Sequence, residues 1–194
     1  MRWVSSEGTI DGVPSATTDR GLAPERGNKD GPSVTAGGKR LVDNIDGVVT
    51  RRAVAHTDER GEVTELLSES WPELLDRIPH VYLTTIQPEV TKGWVCHKRQ
   101  DDRSVVLFGR LRWVLYDGRS ESPTHNLVQE LTFTERNRHL IVVPAGVWHA
   151  VQNVGSTEAA FVNMPTCAYR HGDPDKYRLP LDTPEIPFQF ASQR

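Results

Sequence analysis

Two histidines stand in local surroundings that could make them reactive. His149 lies in Pro144-Ala145-Gly146-Val147-Trp148-His149-Ala150-Val151-Gln152-Asn153, and His97 in Val95-Cys96-His97-Lys98-Arg99-Gln100-Asp101-Asp102. Pro144 and Gly146 are turn formers that end one strand, so His149 begins the next with its ring pointing inward. An imidazole has an unperturbed pKa of about 6.5, and a carboxylate that fixes its tautomer suits it to general-base work near neutral pH. A lone histidine is more often a hydrogen-bonded core residue, so the functional reading rests on the frame around each ring. Cys96 and Cys167 lie far apart without CxxC or CxxH spacing. Neither a disulfide framework nor a structural zinc site is expected, and both read as buried thiols.

The elements that must position these rings are strands. Beyond Leu41 short β-branched and aromatic segments alternate with turn formers, as in an all-β sandwich or barrel. Examples are Val48–Val49, Val81–Ile86, Val105–Phe108, Leu111–Tyr116, Leu127–Phe133, Leu140–Val143 and Ala159–Met164. Within Leu111–Tyr116 the two-residue period puts Leu111, Trp113 and Leu115 on one face and Arg112, Val114 and Tyr116 on the other. One face is expected to be core and the other to line a cavity. Ser68–Arg77 is the one clear helical candidate, with Ser70 as cap, Pro72 in the first turn, and Leu74 and Leu75 packed inward.

A chain of 194 residues suits one domain. From Met1 to about Arg40 it is rich in Gly, Ser, Thr, Pro and charge, too poor in large apolar groups to offset ordering entropy. Residues 1–40 therefore read as a disordered tail and 41–194 as the folded domain. A formal charge of −3 with interspersed signs gives no basic stripe for nucleic acid. No apolar run approaches the roughly 20 residues of a membrane span, and no signal-peptide pattern opens the chain. A soluble, cytoplasmic protein is expected, with neither nucleic acid nor membrane as partner.

The string P-x-G-x2-H-x3-N around His149 resembles the second conserved motif of the cupins, which implies an antiparallel jelly-roll barrel. The first cupin motif supplies His-x-His and then Glu in metal-binding members; here Val95 fills the first histidine slot, and His97 and Asp102 remain. Two histidines and a carboxylate form a ligand set known for non-haem iron. A metal held by His97, Asp102 and His149 is thus the alternative to a cofactor-free site.

Three further strings resemble the dTDP-4-dehydrorhamnose 3,5-epimerases. Asp58-Glu59-Arg60-Gly61-Glu62-Val63-Thr64-Glu65 is close to that family's D-x-R-G-x-F-x-E. Asp117-Gly118-Arg119-Ser120-Glu121-Ser122-Pro123-Thr124 resembles its D-x-R-x2-S-P-T. Leu179-Pro180-Leu181-Asp182 resembles the segment bearing its C-terminal aspartate. The resemblance spans roughly residues 41 to 190. It implies a dTDP-linked 4-keto-6-deoxy sugar as substrate, whose C3 and C5 protons are acidic because the C4 ketone holds the charge as an enolate.

By that resemblance His97 is the base, Asp182 its partner, and His149 or a nearby cation the support for the enolate oxygen. Arg60 would contact the diphosphate through its forked donors, or else simply pair with Asp58. Glu65, Lys92, Asn163 and Tyr169 complete the expected substrate contacts, and no cofactor is implied. The sequence departs from the family at three places. Val63 replaces a Phe. The Arg-Gly-Leu-His string becomes either Trp94-Val95-Cys96-His97 or Lys92-Gly93-Trp94-Val95. The strand position of the catalytic tyrosine holds Asn163, which cannot act as a general acid; Tyr169, Tyr116 and Tyr82 are the candidates to replace it. One epimerisation or two fits these residues, as does a binding cupin without turnover. A homodimer is expected, because open sheets leave edges that a second copy can cover.

Overall fold

Side-chain alternation along Arg110–Asp117 shows how the chain is layered. Leu111, Trp113 and Leu115 join one cluster of buried residues, whereas Val114 and Tyr116 join another on the opposite side of the same strand. The computed structural model describes residues 32–37, 44–71 and 77–190. The chain divides into two units, 1–42 and 43–194. Most of the expected disordered tail lies outside the described residues, and the fold below is that of the second unit.

Among the described residues twelve strands follow in order: β1 (Val49–Arg52), β2 (Ala55–Asp58), β3 (Gly61–Thr64), β4 (Tyr82–Ile86), β5 (Thr91–Cys96), β6 (Asp102–Phe108), β7 (Arg110–Asp117), β8 (Val128–Thr134), β9 (His139–Val143), β10 (Val147–Asn153), β11 (Ala159–Asn163) and β12 (Tyr177–Arg178). One five-stranded sheet runs β1-β9-β6-β11-β4, a second runs β12-β5-β10-β7-β8, and β2 and β3 form a separate ribbon. Every pairing is antiparallel. The architecture is the expected all-β, cupin-type jelly roll. At the β6–β7 turn Gly109 has φ +83°, and a Cβ there would sit 2.4 Å from that of Ala159, so only glycine allows this corner.

The two sheets close on an apolar interior. Trp113 is its largest member, packed against Phe133 and Phe161 at ring separations of 5.9 and 5.5 Å. The opposite face of β7 does not line a cavity, as the alternation pattern alone had allowed. The C-terminal segment covers it instead: Ile186, Leu179, Leu181 and Phe188 pack with Trp94, Val114 and Tyr116. This cover removes apolar surface from water on the outer face, at roughly 25 cal/mol per Å².

No helix occurs among the described residues. Ser68–Trp71 forms a turn, with the Trp71 N–H donating to the Ser68 carbonyl at 3.1 Å. The Ser70 hydroxyl pairs with that of Ser68 rather than capping a helix, and residues 72–76, with Leu74 and Leu75, lie outside the described residues. Trp71 is buried against Val105, Leu140, Val142 and Met164 on the outer side of the first sheet. Burial of the Trp71 indole anchors this turn to the sheet.

Candidate functional site

Polar groups gather at one end of the apolar interior. His149 pairs in register with Val95, so His97 lies two residues further along β5, just past its end, on the same inward face. The turn before β10 fixes this relation. Gly146 has φ +85°, a Cβ there would press on Arg119 at 3.0 Å, and its N–H donates to the His97 carbonyl at 2.7 Å. The conformational freedom of one glycine therefore ties the P-x-G-x2-H turn to the other histidine. The imidazole centroids are 5.5 Å apart.

Asp102 comes from the opposite sheet, at the start of β6 beside Val143. Its Oδ2 is 3.4 Å from His97 Nε2 and 3.5 Å from His149 Nε2. Gln100 donates to Oδ1 at 3.0 Å. All three members of this cluster are buried. Burial opposes ionisation of Asp102, yet its bonds to His149 and His97 outweigh that and hold the carboxyl well below the usual range. For His97 burial likewise disfavours the charged form, and the Asp102 carboxylate more than reverses it, so the imidazole pKa is raised.

The other ring nitrogens face backbone. His97 Nδ1 bonds the Asp175 carbonyl, and His149 Nδ1 lies 3.2 Å from the Val147 carbonyl. A carbonyl only accepts, so each Nδ1 carries hydrogen and Nε2 is the nitrogen left to exchange a proton. The separation of 3.4 Å from Asp102 exceeds the about 2.7–2.9 Å of a charge-assisted hydrogen bond. The carboxylate therefore favours the imidazolium through a long contact at Nε2. The three donor atoms also lie within 4.8 Å of one another, close enough to share one small cation.

A cavity of about 620 Å³ opens onto this cluster, with His97, Gln100, Tyr82, Tyr169 and Lys176 in its walls. His97 is the member of the triad that reaches it; Asp102 and His149 stand behind. Lys176 is an exposed residue whose ammonium pKa is lowered by partial desolvation, then by Arg178, with Asp102 acting in the opposite sense. Arg103, almost wholly buried, donates to the Met164 and Pro165 carbonyls and so shapes the chain where it enters the cavity rim.

Asp182 is not beside His97. It is exposed in the turn after Leu181, on the segment that covers the outer face. The tail runs antiparallel to β5, with Tyr177 opposite Cys96, and this register sets Asp175 next to His97, seven positions before Asp182. Asp175 accepts from the Lys98 and Arg99 N–H groups at 3.0 and 2.7 Å. The carboxylate facing His97 is Asp102.

Arg60, Glu65 and Lys92 are exposed, and none lines the cavity. Arg60, with its side chain 81% exposed, pairs with Asp58 across the β2–β3 turn. Asn163 is buried at the end of β11, and Tyr169 stands at the cavity rim beside His80 and His171. The Asp117 motif is structural: its carboxylate accepts from Arg119, Ser122 and Thr124 and closes the loop after β7. Cys96 is buried, its thiol pushed up to about 11 by desolvation. Cys167, by contrast, is only half-buried and sits in the cavity wall. Ser104, Asp175 and Lys176 carried no motif; only their neighbours in space give them meaning.

The family model for dTDP-4-dehydrorhamnose 3,5-epimerase matches residues 43–193. A protein of Haloferax volcanii named as a probable low-salt glycan biosynthesis epimerase is 31% identical over 140 residues, 72% of this chain and 90% of the relative. The spore coat polysaccharide biosynthesis protein SpsL of Bacillus subtilis is 30% identical over 149 residues, 77% of this chain and 98% of its own. A dTDP sugar isomerase from Desulfovibrio desulfuricans superposes with a TM-score of 0.71 at 28% identity, covering 77% of this chain and 95% of the other. With the motif order, the jelly roll and the histidine-lined cavity agreeing over the same residues, the chain belongs to the dTDP-4-dehydrorhamnose 3,5-epimerase family.

Proposed function

We propose that this protein epimerises a nucleotide-linked 4-keto-6-deoxy sugar by removing a proton next to the ketone, with His97 as the base. The observation that carries this reading is one imidazole, backed by a buried carboxylate, at the wall of a cavity of about 620 Å³. In the ground state Nδ1–H is held by the Asp175 carbonyl, and Nε2, beside the Asp102 carboxylate, carries the lone pair that accepts. Proton uptake creates an imidazolium that Asp102 stabilises at the moment it forms. Lys176, one of the cations on the cavity wall with Arg77, Arg99 and Arg170, supports the enolate oxygen. His149 acts behind the wall, keeping Asp102 ionised and in place. Tyr169 offers a ring at the rim for the nucleotide or sugar.

The pH dependence tests this assignment. The base form of His97 is the neutral one, and its folded pKa is raised. Activity at limiting substrate should therefore climb with pH through an inflection above about 6.5. A flat profile across neutral pH would remove His97 as base. The cluster of two imidazoles and a carboxylate within 4.8 Å favours one second reading, a bound divalent metal. The same assay after chelator treatment separates the two: turnover should persist, whereas loss restored by a divalent ion would assign the cluster to metal.

A homodimer and a cytoplasmic setting belong to the same proposal; no helix among the described residues is long and apolar enough to cross a membrane. The β2–β3 ribbon is exposed along almost its whole length, and Val63 is 73% exposed. Val81, just before edge strand β4, and Leu83, within it, also face solvent. Apolar groups on an unpaired ribbon and edge favour cover by a second copy. Light scattering should give twice the chain mass at micromolar concentration; the mass of one chain would exclude the dimer.

A further inference from the structure

Epimerisation needs a proton donor on the face of the sugar ring opposite the base, and Asn163 cannot be it. Three tyrosines were open on sequence grounds, and their surroundings separate them. Tyr116 belongs to the outer-face cluster and donates to Asn126 at 2.9 Å, away from the interior. Tyr169 stands at the rim, half exposed, between His80 and His171. Tyr82 begins β4 directly opposite Asn163 of β11 in the register of the first sheet. It shares the inward face of β4 with Ile86 and lines the same cavity as His97.

The hydrogen bonds around Asn163 run in one direction. The buried Ser104 hydroxyl donates to Asn163 Oδ1 at 2.8 Å, and Asn163 Nδ2 donates to the Tyr82 oxygen at 2.7 Å. The phenol oxygen is thus an acceptor at the end of this chain, and its own hydrogen is not used by Asn163. Asn163 is 1% exposed, and both ends of its amide are engaged. Burial and the Asp102 charge raise the Tyr82 pKa, opposed by the Asn163 bond, so the phenol holds its proton at neutral pH. The base comes from the second sheet and Tyr82 from the first, so a sugar lying in the cavity between them meets one on each face.

We propose that Tyr82 is the proton donor of the reaction, a phenol carried on the strand next to Asn163 and oriented by that amide. This rests on the epimerase reading above. The C–H bond next to the ketone breaks and its proton goes to His97 Nε2, leaving the enolate. The Tyr82 O–H bond then breaks and a C–H bond forms at the same carbon from the other face. The phenolate left behind keeps the Asn163 N–H as a donor until solvent returns a proton, and His97 releases its own. No oxidant, reductant or further reactant enters.

Tyr82→Phe keeps the ring and removes the hydroxyl. With dTDP-4-keto-6-deoxyglucose in deuterated buffer, inversion should fall by a factor on the order of 10²–10⁴. Deuterium uptake with retention should continue, because His97 can still remove a proton and return a deuteron on its own face. Asn163→Leu should lower inversion less and shift the alkaline limb of the pH profile upward, as the phenolate loses its donor. Inversion by Tyr82→Phe at the unaltered rate would overturn the proposal. Loss of exchange and inversion together would also overturn it, since Tyr82 would then be needed for proton removal. No exchange in the unaltered protein would overturn the epimerase reading, and with it this assignment.

Discussion

His97→Ala is expected to abolish turnover while leaving binding of the dTDP-sugar nearly intact. General-base catalysis contributes a factor on the order of 10²–10⁴, and here the whole reaction begins with proton removal. His97 is the member of the buried triad that reaches the cavity, and its Nε2 is the nitrogen with capacity to take a proton. The small side chain of alanine leaves the cavity walls formed by Tyr82, Tyr169 and Lys176 in place, so affinity measured by calorimetry should change little. Asp182→Ala is the matched control: exposed on the outer-face segment, it should alter turnover by no more than a few fold. A reversed ranking of these two variants would restore Asp182 as the partner carboxylate and remove Asp102 from that role.

Asp102→Asn is expected to produce the second largest loss, by a factor on the order of 10²–10⁴ in turnover, together with a displaced pH profile. Two effects combine. The neutral amide cannot stabilise the imidazolium that forms as His97 takes the proton. It also presents an N–H₂ group that can donate to Nε2 and so occupy the basic nitrogen. The sign of the pH change follows from the balance at His97, where burial lowers the pKa and Asp102 raises it further than burial depresses it. Removing the carboxylate leaves burial in control, and the acid limb of the residual activity should move to lower pH. Asp102 itself stays ionised far below neutrality, so the limb in the unaltered protein reports His97. A variant with normal turnover and an unmoved limb would show that the carboxylate does not act on His97.

The barrel was legible because its strands carry a two-residue alternation, and Leu111, Trp113 and Leu115 do form the interior as that period requires. The motif around His149 was legible for a similar reason. Turn chemistry is local, and Pro144 and Gly146 mark it in the sequence itself. The grouping of His97, Asp102 and His149 was legible as a ligand set, whereas the place of Asp182 was not, because it depends on how far the tail runs along β5. The pairing of Tyr177 with Cys96 brings Asp175 to His97 and carries Asp182 past it. Asp102 stood five positions from His97 in view, but its reach across from the other sheet is a property of barrel closure. Of the helix expected at Ser68–Arg77, the segment Ser68–Trp71 is a turn with Trp71 buried, which the capping pattern does not reveal, and residues 72–76 lie outside the described residues.

Tyr82 illustrates the same division. Sequence alone placed an asparagine where the family carries its acid, and three tyrosines could have replaced it. Only cross-strand register joins Tyr82 to Asn163, 81 positions apart along the chain. The polar row Ser104, Asn163 and Tyr82 lies at the same end of the interior as His97 and Asp102, so acid and base arise from facing walls rather than neighbouring residues.

Proton removal next to a sugar ketone can be watched by proton NMR of dTDP-4-keto-6-deoxyglucose with the protein in deuterated buffer, following the C3 and C5 signals separately. Loss of at least one signal, absent in the His97→Ala variant, is the expected result and identifies the carbon used. Both signals persisting while the nucleotide-sugar is shown to bind would contradict it, and would make the site a sugar-nucleotide receptor without turnover.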